Sequence, residues 1–547
     1  MASYVEKTPA GVIYKAAQTR AFPRLDLLSV LFDSPNTGGK EDTILHASAD
    51  DPSKCVTKAQ LRDMVQRLAY TLRHTYGIGK SGPSTDVVIC IATGHHLIPA
   101  LFLATVAASG VFSSSSPSST PSEFAAQITQ VSAGVIFCTP LTRATALAAA
   151  SLANLPASAV LSLDDLPLDP THRLTWPRIT SPTVLDDSII CVLFSSGTTG
   201  RPKAVRLSHT NMVSQAALVI DPYKESDPSG TDFSRTVAHL PAAHIAGVQG
   251  YLVNWHYAGG TVYWMERFDF PKFLAYTKKY AVTSFFSVPP IFLLIVKSPM
   301  VTDQFDTVRF ALSGAAPMGR ELQVAVMKKM GQGTAQVGQT WGLSETTGSM
   351  TVIPRGTPND LTGSVSMLVS NGMARIVDDE GKDVEPGTPG EIWVQGPQVT
   401  KGYWKNDEAN REAFSDGWFC TGDVGLFKDG MFYVVDRKKE LIKYKANQVA
   451  PAELEALLIS HPGILDAAVI GVPGEGTEVP RAYVVAADPK KLTAKEVADW
   501  VAGQVSGYKK LRGGVIFLPA IPKSPSGKIL RKDLRELAKK EAKTSRL

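Results

Sequence analysis

Leu193-Phe-Ser-Ser-Gly-Thr-Thr-Gly-Arg-Pro-Lys-Ala-Val-Arg-Leu-Ser-His-Thr-Asn211 is the stretch of this 547-residue chain that decides its reading. The apolar run Ile189 to Phe194 reads as a buried strand. It leads into a loop with Gly197 and Gly200, the hydroxyls of Ser195, Ser196, Thr198 and Thr199, and Lys203, and a helical pattern begins near Thr210. Glycine lets backbone approach a ligand closely, exposed N–H groups and hydroxyls donate to phosphate oxygens, and a lysine supplies a point charge. The loop therefore has the chemistry of a polyphosphate clamp. No GKS or GKT follows four residues after a glycine, so this is not a Walker A loop and a P-loop kinase or ATPase is disfavoured. Taken alone, a Ser/Gly/Thr loop can also be a plain turn.

Outward from that loop, apolar β-branched runs alternate with longer helical patterns, the signature of βαβ units and mainly parallel sheets. Val87 to Ile91, Gly134 to Cys138, Thr236 to Leu240, Thr261 to Trp264, Ser284 to Val288 and Val308 to Leu312 read as strands. Ala59 to Tyr76, Leu97 to Ala108, Glu123 to Val131, Thr210 to Val219, Lys272 to Tyr280 and Arg320 to Met330 read as helices. After Gly363 short strands with glycine turns suggest a small antiparallel or barrel-like subdomain. Residues 437–547 then form a segment with its own strand and helix alternation. The expected fold is α/β: a large domain, 1–436, of two βαβ-type sheet subdomains plus a small barrel-like one, followed by a small α+β domain, 437–547.

Composition excludes several classes. Apolar residues make up 44% and charged residues 20%, so a sizeable core is available and wholesale disorder is not expected. Lys plus Arg total 56 against 51 for Asp plus Glu, and the excess is concentrated after Lys523, which disfavours a broad nucleic-acid-binding face. The five cysteines, Cys55, Cys90, Cys138, Cys191 and Cys420, are scattered and read as free thiols in a reducing compartment. Neither CxxC nor HExxH occurs, leaving zinc without support. Met1 to Arg20 lacks the apolar run of a secretory signal, and Leu97 to Phe112 falls short of the ~20 residues that span a bilayer. The chain ends Ser545-Arg546-Leu547, a variant of the small-basic-Leu peroxisomal address; peroxisomal localisation through an import receptor is expected, with a cytoplasmic location otherwise.

The clamp resembles the signature of adenylate-forming enzymes, the superfamily of acyl-CoA synthetases, beetle luciferases and peptide-synthetase adenylation domains. Further signatures follow in order. Ser313-Gly-Ala-Ala-Pro317 resembles the adenine-side loop, Gln339-Thr-Trp-Gly-Leu-Ser-Glu345 the nucleotide and magnesium motif, and Gly417-Trp-Phe-Cys-Thr-Gly-Asp423 the ribose motif. Asp436-Arg-Lys-Lys-Glu-Leu-Ile-Lys443 resembles the hinge motif, and Pro522-Lys-Ser-Pro-Ser-Gly-Lys528 the C-terminal lysine loop.

The resemblance implies that a carboxylate attacks the ATP α-phosphate, giving an acyl-adenylate and pyrophosphate, and that a thiol then displaces AMP. Charge builds on phosphoryl oxygens, so cations and placed donors carry most of the catalysis. It implies Lys528 at the α-phosphate and the carboxylate, Ser344 at the α-phosphate, and Glu345 with Thr199 on Mg²⁺. Asp423 and Arg437 fall at the ribose, and Trp341, where the family usually has Tyr, against adenine. Gly314, Ala315, Ala316, Gln339, Thr340 and Gly342 complete the nucleotide set with the clamp residues. The small domain is implied to be mobile, swinging about Asp436 and Lys439 so that Lys443, Lys445, Ala446 and Gln448 serve the CoA step. Ala446 stands where glycine is common and so puts the thioester step in question, as Ala204 replaces a usual clamp glycine.

His244 matches the histidine at the mouth of the carboxylate site. Ile245, Ala246, Gly247, Leu312, Gly314 and Gly338 are the candidate acid-binding positions. The texture is nearest to 4-coumarate-CoA ligase-like and peroxisomal acyl-CoA synthetases. Positions polar in hydroxycinnamate ligases hold Ala243, Gly247 and Leu312, and a buried hydroxyl without a partner costs about 1–3 kcal/mol, so an apolar acid of medium-chain fatty or aryl-alkanoic/cinnamic type is expected. A luciferase-like oxygenase or an adenylating enzyme with a non-CoA acceptor would share these motifs.

Overall fold

Val87–Ile91 is buried at every position and pairs in parallel with Val111–Ser115 on one side and Ala133–Cys138 on the other. A strand covered on both faces has no solvent side, which is why its sequence is continuously apolar and not alternating. In the computed structural model, which describes residues 2–8, 11–195, 202–357, 360–445, 447–524 and 527–544, this trio is the centre of a six-stranded sheet. Ile189–Ser195 extends it in parallel, and Lys203–Ser208 closes that edge antiparallel. The uncharged stretch between the strands forms Ile98–Ala107, a fully buried helix with Pro99 in its first turn, where proline's missing N–H has no partner to lose. Among the described residues no helix is long and apolar enough to cross a membrane.

A second layer contains the parallel pair Arg235–Ala238 and Thr261–Trp264, joined by Ile44–Ser48 and the antiparallel Cys55–Thr57. Beside it, Ser284–Ser287, Phe310–Ser313 and Gln336–Gln339 form a parallel three-stranded sheet. Between the layers runs the helix His209–Ser226. Its start is fixed by a reciprocal cap in which Ser208 Oγ accepts from Asn211 N at 3.2 Å and Asn211 Oδ1 from Ser208 N at 3.0 Å. The helix continues past the expected end at Val219, through Pro222, because Ile220 and Tyr223 prolong its buried face.

The antiparallel subdomain expected after Gly363 is a seven-stranded sheet, and it recruits the chain's beginning. Tyr4–Thr8 and Gly11–Lys15 form a hairpin whose second strand pairs with Met373–Val377 in the register Tyr14↔Ala374. The strand Met431–Arg437 pairs through Arg437 with Asp423, so the boundary expected after Asp436 falls inside the last strand of the large domain. Beyond it, a short hairpin, Ile442–Tyr444 with Asn447–Val449, precedes a three-stranded sheet of Ile464–Pro473, Glu478–Ala486 and Val515–Phe517. The helices Pro451–Ser460 and Ala494–Ala502 pack on it around a core containing Leu454, Leu458, Val469 and Val484, and Arg531–Thr544 packs through Leu534 and Ala538 on a second cluster with Ala468, Ile470 and Tyr483.

Candidate active site

Ligands of open parallel sheets bind beyond the carboxyl ends of the strands. Ser195, Ser313 and Gln339 each end such a strand. Ser195 Oγ donates to Lys203 O at 3.4 Å, closing the base of the clamp; Ser196, Gly197, Thr198, Thr199 and Gly200 lie outside the described residues. Lys203 Nζ stands 4.9 Å over the ring of Tyr403. Tyr403 donates its hydroxyl to Glu345 Oε1 at 3.1 Å, and burial together with that carboxylate raises its pKa well above the ordinary phenol value. A second tie holds the motif in place, with Thr400 N donating to Glu345 O at 2.7 Å. Tyr403 belongs to none of the sequence signatures; only its pairing partner, known from the fold, brings it into the site.

The nucleotide-side residues converge from three elements. Gly314 follows Ser313 so closely beneath Phe286 that a Cβ would stand 2.8 Å from that ring, and Ala315 has φ 68, a left-handed conformation that a non-glycine residue keeps only where its surroundings hold it. Thr340 N donates to Ser313 O at 2.9 Å, and Gln339 Oε1 accepts from Met318 N at 2.8 Å, which ties the adenine-side loop to the next strand. Trp341 is buried and donates its indole N–H to Asp423 Oδ2 at 2.8 Å, while Arg437 Nε lies 3.2 Å from Asp423 Oδ1. Each carboxylate oxygen has two lone pairs, so one acceptor position per oxygen is left for a ligand.

Lys528 reaches the same place from the small domain. Its loop is a tight turn: Lys528 N donates to Ser524 Oγ at 3.2 Å, Ser524 N to Lys528 O at 2.8 Å, and Gly527 has φ 80. A Cβ on Gly527 would stand 3.0 Å from Val288, so glycine lets the loop touch the large domain. Burial lowers the lysine's pKa, Arg437 adds to that, and Glu345 and Asp423 oppose it. Arg437, Glu345 and Asp423 thus all lie within electrostatic reach of Lys528.

Behind Lys528 opens a cavity of about 140 Å³ lined by His244, Ile245, Ala246, Leu312, Gly314 and Ser344 at one end and by Val219, Tyr223, Phe233 and Phe310 among others. His244 Nδ1 accepts from Ala246 N at 3.3 Å, which leaves Nε2 to carry the proton of the neutral ring. Burial, then Lys528, pushes its pKa down to about 3, so the ring is neutral. Two expected acid-binding positions do not line the cavity. Gly247 packs on the backbone of Pro241 and Ala242, and Gly338 against Ile353, because each lies on the side of its segment that faces the core. Ala243 is likewise not among the lining residues.

The expected CoA-side residues are elsewhere in this arrangement. Lys443 pairs with Gln448 in the short hairpin, and Lys443, Lys445 and Gln448 are exposed; Ala446 lies outside the described residues. Asp436 is buried and accepts from Arg437 N at 2.7 Å and Ala452 N at 2.9 Å, so the hinge segment is tied to the first helix of the small domain. Lys439, three residues after Asp436, lies in the turn that Glu440 N closes on Arg437 O at 2.9 Å.

The chain matches the AMP-binding enzyme family over residues 36–404 and the AMP-binding enzyme C-terminal domain over residues 453–528. It is 46% identical over 541 residues to a protein of Emericella nidulans named "Putative acyl-coenzyme A synthetase", covering 95% of this chain and 97% of that one. It is 32% identical over 527 residues to 4-coumarate–CoA ligase-like 6 of Arabidopsis thaliana, covering 94% and 91%. Its fold superposes on ATP-bound MatB from Rhodopseudomonas palustris with a TM-score of 0.80 at 26% identity, over 94% of this chain and 98% of that one. The chain belongs to the AMP-binding enzymes, the adenylate-forming superfamily. Within it, the chain is an AMP-forming acid–thiol ligase of the acyl-CoA synthetase and 4-coumarate-CoA ligase-like kind.

Proposed function

We propose that the protein activates a carboxylic acid with a largely apolar body, of medium-chain fatty or aryl-alkanoic type, and passes it to CoA. The observation that carries this reading is the position of Lys528, set between the mouth of the acid cavity and the Asp423–Arg437 pair. One ammonium there can contact the incoming carboxylate and the α-phosphate together. Bound anions favour its charged form and reverse the lowering that burial causes.

In the first step a carboxylate oxygen bonds to the α-phosphorus and the bond to pyrophosphate breaks. Lys528 holds both reactants and offsets charge on the phosphoryl oxygens; Ser344 lies at the same mouth as a donor. His244, neutral with its proton on Nε2, donates to the carboxylate without adding a second charge beside Lys528. Asp423 takes the ribose hydroxyls on its remaining lone pairs, with Arg437 and Trp341 fixing its orientation. Glu345, held through one oxygen by Tyr403, is the residue that would hold Mg²⁺ together with Thr199, and the ion would neutralise phosphate charge. In the second step the CoA sulfur bonds to the acyl carbon and AMP leaves. Rotation about the segment Asp436 to Lys439 brings Lys443, Lys445 and Gln448 in from the surface for that step.

The test is pyrophosphate release from ATP across a panel of carboxylic acids, with and without CoA, with AMP and acyl-CoA followed by mass. CoA-dependent turnover strongest with octanoate or phenylpropanoate is expected. Turnover strongest with 4-coumarate overturns the acid assignment, and pyrophosphate release with no acyl-CoA overturns the acceptor. Ser545-Arg546-Leu547 is proposed as the peroxisomal address. A fluorescent fusion should enter peroxisomes and lose them when those three residues are deleted; a diffuse full-length fusion refutes it.

A further inference from the structure

One wall of the acid cavity is not apolar. Gln215, Val219 and Tyr223 stand at i, i+4 and i+8 on the helix His209–Ser226, and all three line the cavity. At ~1.5 Å per residue this face is about 12 Å long. At its far end Tyr223 has its hydroxyl committed to Ile353 O at 2.7 Å, amid Val219, Phe233 and Phe310. The Gln215 end lies by the mouth, since Gln215 Nε2 donates to Ser349 O at 3.0 Å and Ser349 pairs with Gly342, two residues from Ser344.

Gln249 joins it there from Val248–Asn254, a one-turn π-helix whose wider repeat puts residues five apart on one face. Gln249 Nε2 donates to Asn254 Oδ1 at 2.8 Å and to Met212 O at 3.1 Å. The two glutamines flank Gly348: a Cβ there would meet Gln215 Nε2 at 3.4 Å and Gln249 Cγ at 3.9 Å. Because both amide nitrogens are held by acceptors, the orientation of each amide is set, and the oxygens remain. Gln215 is 1% exposed and Gln249 2% exposed, and Gln215 Oε1 and Gln249 Oε1 are buried without any hydrogen-bond partner. Buried polar atoms are almost always paired, with protein, water or ligand. Two orphaned acceptors on residues that line the same cavity next to its mouth are a demand for a donor. A plain hydrocarbon filling the cavity would leave both without a partner.

We propose that Gln215 and Gln249 form a donor-reading subsite, so that the preferred substrate carries a hydroxyl on the half of its body nearer the carboxylate, followed by an apolar tail. The inference rests on the acid-activating reading above and refines its apolar acid. It also differs from the expectation drawn from Ala243, Gly247 and Leu312, because the acceptors come from a helix and a π-turn that contain none of those three positions.

The test uses the full chain with octanoate and with octanoates hydroxylated at each carbon from the third to the eighth, reading kcat/KM for acyl-CoA formation and, in parallel, binding of each acid by calorimetry. One hydroxylated isomer on the carboxylate half is expected to exceed octanoate by about tenfold, the worth of one buried hydrogen bond. In Gln215→Met and Gln249→Met the ratio of that isomer to octanoate should fall toward one. Octanoate equal to or better than every isomer, with acyl-CoA formed throughout, overturns the subsite and leaves the ligase reading intact. If no acid yields acyl-CoA, the ligase reading fails, and the order of binding constants still decides the subsite. Should a variant not fold, the wild-type isomer series decides alone.

Discussion

Trp341 and Asp423 show how much rests on single hydrogen bonds in this site. The indole N–H donates to Asp423 Oδ2 at 2.8 Å with both residues buried, while Arg437 engages the other oxygen. Trp341→Phe keeps an aromatic ring at this position but leaves a buried carboxylate oxygen without its donor, a loss of about 1–3 kcal/mol. KM for ATP should rise roughly 5- to 100-fold, with kcat and KM for the acid changed much less. Initial rates against ATP at saturating acid measure this; a fall in kcat at unchanged KM would place the tryptophan's role elsewhere. A second prediction concerns Lys528, whose amine lies below its ordinary value of 10.5 because of burial and Arg437. The cation is the useful form and the anion-free enzyme sets kcat/KM, so kcat/KM should fall as pH rises, with its basic limb below 10.5. Lys528→Arg, which stays charged at any accessible pH, should move that limb upward whatever it does to the rate. The acidic side should carry no inflection from His244, already neutral with its pKa near about 3.

Between elements, the small domain depends on one buried pair. Arg531 Nη2 donates to both oxygens of Glu455 at 2.8 Å, and Glu455 Oε1 also accepts from Val469 N at 2.8 Å, linking two helices to the strand Ile464–Pro473. Burial, partly offset by Arg531, leaves the Glu455 carboxyl raised to about 7; the charge-assisted donation of one guanidinium nitrogen to both oxygens argues that the pair is ionised as it stands. Arg531→Met removes only one partner and strands the carboxylate, which costs about 3–5 kcal/mol. The pair variant Arg531→Met with Glu455→Met should recover much of that loss, and urea midpoints of the three proteins measure both effects. At this scale most strands and helices of the large domain were legible in the sequence, because a strand such as Val87–Ile91 or Thr261–Trp264 carries its own burial pattern. The hairpin Tyr4–Lys15 was not, because its meaning comes from a partner at Ala374, far along the chain. The site divides the same way. Glycine-rich motifs stand out in the sequence as candidate nucleotide loops, but Tyr403, Gln215 and Gln249 sit in unremarkable surroundings, and only packing shows what they face. Gly247 and Gly338, expected at the acid, show the reverse: they do not line the cavity, and the side of the segment that faces it cannot be read from a motif.

Over the whole molecule, Lys528 and the hairpin of Lys443 and Gln448 occupy opposite situations, one at the cavity and the other exposed. If one domain rotation exchanges them, Lys443→Ala should leave ATP–pyrophosphate exchange within about twofold, less than a single hydrogen bond is worth, while slowing acyl-CoA formation from preformed acyl-adenylate. Loss of both activities together would show that the hairpin acts in the arrangement already seen. The large domain also carries a set of buried neutral histidines that ties its stability to pH. Burial lowers His46 to about 3 and His209 and His239 to about 4, from the ordinary 6.5. Between those values and 6.5 the unfolded chain binds protons that the folded chain does not, so stability rises with pH there. Their contribution is complete above 6.5 and is lost progressively as pH falls from 6.5 toward about 4. Denaturation midpoints measured from about pH 7.5 to about pH 4.5 should decline in this window, before most carboxylates titrate. His209 Nδ1 accepts from Leu27 N at 3.1 Å, a bond that Gln can make through its carbonyl oxygen without titrating. His209→Gln should therefore flatten the decline, and a midpoint constant across the range in the wild-type protein would show that these histidines charge without cost.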